Sequence, residues 1–388
     1  MKKTLLAATI SSLALSSAMT VQAQSLDDLV KESSVDLNFR YRVESADVDD
    51  GTNDSALANT LKSRITFKSA EVGGVSLLVE GDSVLHVTDD FYDGDGANTD
   101  QNDKVLDQET TQINQAYVQY QGFDTTVKVG NQRINLDNQR HVGSVGFRQD
   151  EATFDAVTLV NQSVENLTVV AGFANNVNTI TNANLELDIT ILNAKYAFSP
   201  ELAATTFFYG AEDTDGETLD TVGFRAVGDV AGIKYEAEVA SQDNSATDTT
   251  ALYYNLSAAK KVASVTTKLG YEVFGSDDGE ASFATPLGTN HKFLGWSDTY
   301  LNAPGTDGIQ DINLSAVAKV SGIKLVAQYH KFDTVEGSDD LGSEIGLMAA
   351  KKFGDYGASI KLAQFSEGDA GVSKVDATKL WVTGTAKF

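Results

Sequence analysis

Apolar and polar residues alternate along most of this chain with a period of two. In VDLNFRYRV at 35–43, the odd-numbered positions are apolar and the even-numbered positions are polar or charged. Because successive side chains of a β-strand point to opposite faces, this pattern predicts a strand with one apolar and one polar face. The same pattern predicts eighteen strands, with sixteen as the alternative count, near 35–43, 57–69, 74–86, 109–121, 124–133, 153–161, 165–174, 187–198, 201–211, 218–229, 232–242, 250–262, 264–275, 308–320, 322–332, 341–353, 357–366 and 377–388.

The connections between these predicted strands alternate in length. Every second one is tight, as in EVGG at 71–74 and FSPE at 198–201, and those between are longer and mostly acidic, as in VTDDFYDGDGANTDQNDKVLD at 87–107. A chain that runs up and down between two chemically different ends produces this pattern. A soluble β-sandwich has no reason to keep the alternation in phase. The sequence therefore predicts an all-β fold, a transmembrane up-and-down antiparallel β-barrel over 35–388.

The two ends of the chain agree with an outer-membrane barrel. Residues 1–23 combine a basic start, a short apolar core and small residues, which predicts a secretory signal peptide cleaved between Ala23 and Gln24. Residues 24–34 are expected to form a periplasmic N-terminal segment, either a short helix or a frayed tail. The alternating end ATKLWVTGTAKF resembles the C-terminal signal of bacterial outer-membrane barrels, which implies that the barrel-assembly machinery recognises the strand ending in Phe388.

Composition narrows the class of protein further. The 388 residues carry a formal net charge of −26, which makes nucleic acid an unlikely partner, and the absence of cysteine excludes disulfides. A barrel of this width encloses an aqueous channel rather than a packed core. We therefore expect a passive diffusion porin for small hydrophilic solutes in the outer membrane of a Gram-negative bacterium, in contact with lipid and lipopolysaccharide. The pattern leaves open whether it is a monomer or a homotrimer.

The polar faces of several predicted strands carry basic residues. Strand alternation sends Arg40, Arg42, Arg64, Arg225 and Lys128 into the lumen. A charge that faced lipid near the midplane would cost several kcal/mol, so an inward direction is expected for any strand arginine. The excess of arginine over acid on these faces needs a further explanation. A porin that passes anionic solutes would explain it.

Three of the seven arginines lie in or beside one long loop. The segment NQRINLDNQRHVGSVGFRQDEATFDAV at 131–157 contains Arg133, Arg140 and Arg148, and its apolar residues predict that 134–152 folds back against the inner wall. Our hypothesis is that the three guanidinium groups then form a cationic constriction. Rings of arginine select for anions, because guanidinium binds carboxylate bidentately and never deprotonates.

Two other interpretations of the same arginines remain open. They can pair with nearby acids and only hold the loop, or they can bind lipopolysaccharide phosphates at the rim. The candidate acids for pairing are Asp137, Asp150, Glu151 and Asp155.

The segment also resembles a known family. KVGNQRINLDNQRHVGSVGFRQDEATFDAV is similar to the G-x-Q-R…R-x-V-G…R-Q-x…T-F-D-A stretch of the alginate-export family of outer-membrane porins. The resemblance covers about thirty residues. It implies an eighteen-stranded barrel whose arginine-rich lumen passes anionic sugar polymers or smaller acidic solutes, with Arg133, Arg140 and Arg148 lining the pore. This chain is shorter than typical alginate exporters, so a general or anion-preferring uptake porin is the expectation.

Two other classes of function also occur among outer-membrane barrels. An outer-membrane enzyme needs a constellation such as Ser–His–acid, and the four histidines lie in separate strands or loops without a nucleophile motif. An adhesin or receptor would use the long loops, and 275–307 with Trp296 and Tyr300 is the best candidate for a lid or recognition surface. The acidic loop 89–107 misses the EF-hand spacing, so no metal or cofactor is expected.

Overall fold

The computed structural model describes residues 26–88, 92, 102–301 and 305–388. The predicted signal peptide, its cleavage site and most of the acidic loop 89–107 lie outside the described residues. No helix in the described part of the chain is long and apolar enough to cross a membrane. The first described element is a short helix, α1 (Leu26–Lys31), which confirms the helical alternative for that segment. The backbone amide of Ala70 donates to the carbonyl of Leu29, so the helix end lies against the turn that includes Ala70.

Eighteen antiparallel strands form one closed barrel. The last strand pairs with the first, from Asn38 opposite Lys387 to Val48 opposite Ala377. The predicted fold class and the count of eighteen are therefore confirmed. The strands are β1 (Ser34–Val48), β2 (Ala56–Lys68), β3 (Val75–His86), β4 (Thr110–Gly122), β5 (Thr125–Gln132), β6 (Thr153–Asn161), β7 (Leu167–Asn178), β8 (Asp188–Ser199), β9 (Leu202–Glu212), β10 (Thr218–Val230), β11 (Ile233–Asn244), β12 (Thr249–Val262), β13 (Val265–Phe274), β14 (Ile309–Val320), β15 (Ile323–Asp333), β16 (Asp340–Phe353), β17 (Tyr356–Ser366) and β18 (Ala377–Lys387).

Several strands are longer than predicted at the end that carries the long loops. β1 continues to Val48 and β11 to Asn244, so residues assigned to acidic loops are partly strand. Polar residues tolerate strand pairing there because each keeps its backbone hydrogen bonds to a neighbouring strand. The opposite end consists of tight turns, such as Ser321 and Gly322 with φ of 50° and 79°, the left-handed geometry of two-residue hairpins. We call these the long-loop end and the turn end.

The outer surface of the barrel is apolar. Ile65, Val222 and Leu256 point away from the lumen and are 53%, 55% and 54% exposed. A closed barrel satisfies every strand hydrogen bond internally, so such a surface can face hydrocarbon without an unpaired edge. An apolar belt around an eighteen-stranded barrel places the protein in a Gram-negative outer membrane, as the sequence predicted.

The interior is not an open tube at the long-loop end. Two loops fold into it, and we call 133–152 the first inner loop and 275–301 the second inner loop. Together with inward strand residues they bury an apolar core, which includes Ile134, Val142, Phe154, Ile191, Phe207, Tyr253, Phe274, Phe283, Leu294, Tyr300, Phe332 and Phe365. The second inner loop contains two short paired strands, Ser276–Asp277 and Ala281–Ser282, and the 3-10 helix Asn290–Lys292. A further short strand, Asn184–Leu185, pairs with β7.

Candidate functional site: the lumen and its inner loops

The tip of the first inner loop crosses the lumen to the far wall. The Arg140 Nε lies 2.8 Å from the Glu272 carboxylate of β13. The neighbouring His141 Nε2 lies 2.6 Å from Glu238 of β11. Asn138 donates to Glu236, also of β11, over 2.7 Å. The loop begins at the end of β5, so these contacts span the interior of the barrel.

Aromatic rings surround both tip residues. The Arg140 guanidinium lies 4.4 Å from the Phe274 ring centroid and 4.5 Å from that of Phe293. His141 lies within 5.3 Å of the ring centroids of Phe207 and Tyr253. Arg140 is only 1% exposed. The tip is therefore anchored in the core and presents no free guanidinium to the channel.

The returning arm of the same loop binds β1 and β2. Arg148 Nη1 lies 3.0 and 2.9 Å from the two carboxylate oxygens of Glu44. Arg40 donates through Nε to Gln149 over 2.8 Å, and the Lys62 ammonium donates to the carbonyl of Gln149 over 2.6 Å. The arm is thus attached to β1 and β2, whereas the tip of the same loop is anchored on β13 and β11.

A compact group of charges holds the base of the loop. Arg64 binds Asp82 with two hydrogen bonds of 2.6 Å and lies 3.2 Å from Glu151. Arg133 binds both Glu80 and Glu151. Burial alone would raise the pKa of Glu151, but Lys62, Arg64 and Arg133 outweigh it and hold the pKa at about 2.

The adjacent carboxyl group of the loop behaves in the opposite way. Burial raises the pKa of Asp150 to about 6, although Lys62 acts against that shift. Asp150 accepts a hydrogen bond of 3.2 Å from Gln112. Two consecutive acids therefore have separated pKa values, because the basic side chains lie mainly on the side of Glu151.

The structure does not bring Arg133, Arg140 and Arg148 together. Each one binds acids from different wall strands, because a buried guanidinium needs a carboxylate partner and the inward strand faces supply several. Of the acids proposed as pairing partners, Glu151 binds Arg133. Asp137 lies 3.8 Å from Arg225 instead, while Asp155 accepts from Asn131 and Asn176.

Several of the inward-facing strand arginines lie beside carboxylates. Arg225 lies 3.0 Å from Glu236 and 3.4 Å from Glu238, and Arg42 lies 3.6 Å from Asp107. The alternation within one strand shows only which of its own residues face inward, whereas the partner carboxylates lie on neighbouring strands or on loops. Their proximity to the arginines depends on how the strands pair and on where the loops fold.

Four of the eight predicted site residues line one cavity below the first inner loop, open toward the turn end. These are Arg40, Arg64, Lys128 and Arg133, and the cavity volume is about 1070 Å³. Its lining has seven basic and four acidic side chains, a formal excess of three positive charges. The other four, Arg42, Arg140, Arg148 and Arg225, do not line it.

A second cavity at the turn end contains residues that the sequence analysis missed. It measures about 780 Å³ and shares Asp355, Thr385 and Lys387 with the first. Asp355 is the one acid among its lining residues, against six lysines: Lys261, Lys319, Lys324, Lys351, Lys352 and Lys387. The period-two pattern places most of these lysines inward, but the sequence prediction of basic lumen residues covered only the arginines and Lys128. Within the described residues, no group of three or more acidic, histidine or cysteine side chains is arranged to hold a metal ion.

Comparison with known proteins supports the fold. No family model matches the sequence. No curated protein matches it either. Among solved structures, Pseudomonas aeruginosa OccK3 (OpdO) matches with a TM-score of 0.70 at 13% identity, covering 94% of this chain and 98% of that one. Acinetobacter baumannii OccAB1 matches with a TM-score of 0.68 at 14% identity, covering 95% and 99%.

The outer membrane protein OpdK of Pseudomonas aeruginosa gives a third match, with a TM-score of 0.70 at 10% identity over 93% of this chain and 99% of that one. At these identities the likeness concerns the fold. The chain thus has the fold of an eighteen-stranded outer-membrane barrel with loops folded into its lumen. The alginate-export resemblance finds no support in the family comparison.

Proposed function

We propose that this protein is an outer-membrane porin, a passive channel for small hydrophilic solutes that prefers anions. The observation that carries the proposal is the excess of basic over acidic side chains along both cavities of the lumen. This excess occurs inside a chain whose net charge is −26. The positive field is therefore local to the pathway, where it acts on a passing solute.

The lysines of the turn end supply most of this field. Within the described residues, the side chains of Lys319, Lys324 and Lys352 form no ion pair or hydrogen bond. The arginines above them are mostly paired with carboxylates, so they contribute less net charge. Low-dielectric walls lined by one sign of charge concentrate counter-ions and raise their local concentration. Rings of basic residues favour anions for the same reason.

We keep the hypothesis that arginines line the passage, but with a different set of residues from the predicted constriction. Arg40, Arg64 and Arg133 line the upper wall of the first cavity, where Arg133 keeps 25% of its side chain exposed. These arginines and Lys128 are the proposed solute-contacting residues. The more deeply buried Arg140 and Arg148 set the position of the loop and hence the size of the passage.

The solute class that fits is a small carboxylate or acidic sugar. The two inner loops fill much of the long-loop end with an apolar core, which leaves little room for a wide polymer. The guanidinium and ammonium groups that line the first cavity can each bind a carboxylate, which fits a solute with one or two carboxylates. The proposal therefore favours monomeric acids over the polymer that the family resemblance implied.

The test is the reversal potential of the refolded protein in a planar bilayer under a salt gradient. Wild type is compared with the triple variant Lys319→Gln/Lys324→Gln/Lys352→Gln and with Arg133→Gln. We expect an anion-selective potential in wild type that moves toward zero in both variants, and further in the triple variant because it removes three unpaired charges.

Lys260→Gln is the matched control, because Lys260 lies on the opposite face of β12 from Lys261 and should leave selectivity unchanged. Cation selectivity in wild type would contradict the anion preference. A correctly folded barrel that never conducts would contradict the porin itself.

A further inference from the structure

The two inner loops meet each other and the wall at one buried histidine. The His291 ring of the second inner loop stacks on Phe147 of the first, with centroids 3.5 Å apart and planes at 16°. Its Nδ1 lies 2.6 Å from Asp298, and its Nε2 lies 2.9 Å from the Lys361 ammonium of β17. The ring centroid of Trp381 on β18 lies 6.0 Å from that of His291. We call this the His291 node.

The hydrogen bonds define the protonation state of the node. Asp298 is a carboxylate and can only accept, so His291 donates from Nδ1. The ammonium of Lys361 can only donate, so Nε2 of His291 must accept and carries no proton. The imidazole is therefore neutral in this arrangement. A second proton would place two N–H donors, each on a cation, 2.9 Å apart.

Charged groups reach the node from every element that packs against it. Arg148 of the first inner loop lies 3.3 Å from Asp298. The Lys361 ammonium also lies 4.4 Å from the Phe147 ring centroid and 4.2 Å from that of Trp296. The charged groups facing the node are Arg42, Glu44, Arg148, Asp298, Glu344, Lys361 and Lys379. Four are basic and three are acidic, so one more positive charge is unfavourable.

We propose that His291 is an acid-sensitive latch that holds the second inner loop inside the lumen. Protonation of the imidazole removes the acceptor of Lys361 and sets two cations against each other. The second inner loop then leaves the wall and widens the passage. As a change in conductance this rests on the proposed channel, but the movement itself does not.

The pH range follows from the environment of the imidazole. Burial, together with Lys361 and Arg148, outweighs Asp298 and lowers the pKa of His291 to about 4. In the released loop the pKa returns to about 6.5. Above about pH 6.5 the imidazole is neutral in both states, and the closed state is fully stable. Between about pH 6.5 and about pH 4 only the open state binds the proton, so the ratio of closed to open protein falls about tenfold per pH unit.

Two acids of the first inner loop keep that loop in place over the same range. Glu151, with a pKa of about 2, stays ionised and bound to Arg64 and Arg133. Asp150, with its pKa of about 6, gains a proton when the pH falls, and this favours its buried position. The acid response is therefore confined to the second inner loop.

The chain contains its own reporters for this movement. Its two tryptophans, Trp296 and Trp381, both lie at the His291 node, and Trp381 is 1% exposed. The experiment follows tryptophan emission and acrylamide quenching of the detergent-folded barrel from pH 7.5 to 3.5. Single-channel conductance is recorded over the same range. We expect a red shift, stronger quenching and larger conductance with a midpoint between about 6.5 and about 4.

Variants separate the latch from general acid effects. His291→Gln should lose the transition, while Lys361→Met should weaken it and move its midpoint to lower pH, because the protonated imidazole then faces no cation at Nε2. His86→Gln removes an imidazole of β3 that lies outside the His291 node and should respond as wild type does. Wild-type emission that stays constant to pH 3.5, or an unchanged transition in His291→Gln, would overturn the latch. An emission change without any conductance would support the latch and contradict the porin.

Discussion

At the scale of single residues, the lumen is built from buried ion pairs between elements. Arg148 with Glu44 and Arg140 with Glu272 each join the first inner loop to a wall strand. An isolated buried charge is very costly, so each guanidinium is found where a carboxylate faces it. These pairs determine where the loop lies, and Arg133 is the least buried of its three arginines.

Replacing Arg148 with Met should therefore release the returning arm. It leaves Glu44 without its hydrogen-bond partner and removes one of the two partners of Asp298, which costs about 3–5 kcal/mol for a buried pair. Amide hydrogen exchange over 144–151 should become at least about 100-fold faster. Lys68→Met is the matched control, because Lys68 pairs with Asp36 over 3.0 Å in an exposed position and should cost less than about 1 kcal/mol. Equal effects of the two substitutions would contradict the role of Arg148.

At the scale of elements, the two inner loops interlock through their backbones. The amide of Gly143 donates to Leu287 over 2.8 Å, and that of Thr289 donates to Gln139 over 2.9 Å. A side chain on Gly288 would meet the carbonyl oxygen of Arg140 at 2.1 Å. The crossing needs a glycine here because two main chains approach each other directly.

Gly288→Ala should separate the loops without changing any charge. Overpacking of this kind costs about 1–3 kcal/mol, so hydrogen exchange in 285–293 should rise roughly 5- to 150-fold. Ion selectivity should remain that of wild type. Gly146→Ala, in the first inner loop, meets nothing closer than 3.7 Å and serves as the control. Unchanged exchange in Gly288→Ala would show that the loops do not press on each other at this point.

At the scale of the whole molecule, the barrel closes between its first and last strands and separates its charges by position. β1 and β18 pair in one continuous register that sets Val43 opposite Val382. The turn end of the lumen is basic, while the protein as a whole is acidic. Closure encloses the lumen, and the turn end of that lumen has a charge opposite in sign to the net charge of the chain.

The closure can be tested because the chain has no cysteine. In the variant Val43→Cys/Val382→Cys the two thiols should form a disulfide on mild oxidation, since directly paired strand positions fall within the 4.4–6.8 Å Cα range of disulfides. The control Val43→Cys/Val239→Cys places the second thiol on β11, elsewhere in the wall, and should remain reduced. A failure of the first pair, or oxidation of both within single chains, would contradict the register.

The sequence by itself determined the fold and the two faces of its strands. Alternation is a local property, so 57–69 and 218–229 reveal without any partner that Arg64 and Arg225 point inward. Only the tertiary structure decided which charges meet. Glu44, Glu80 and Glu272 come from strands far apart in sequence, and their approach to Arg148, Arg133 and Arg140 depends on how the loops cross the closed barrel. A long loop has no periodic pattern, so its own residues predict that it folds inward but not which wall residues it contacts.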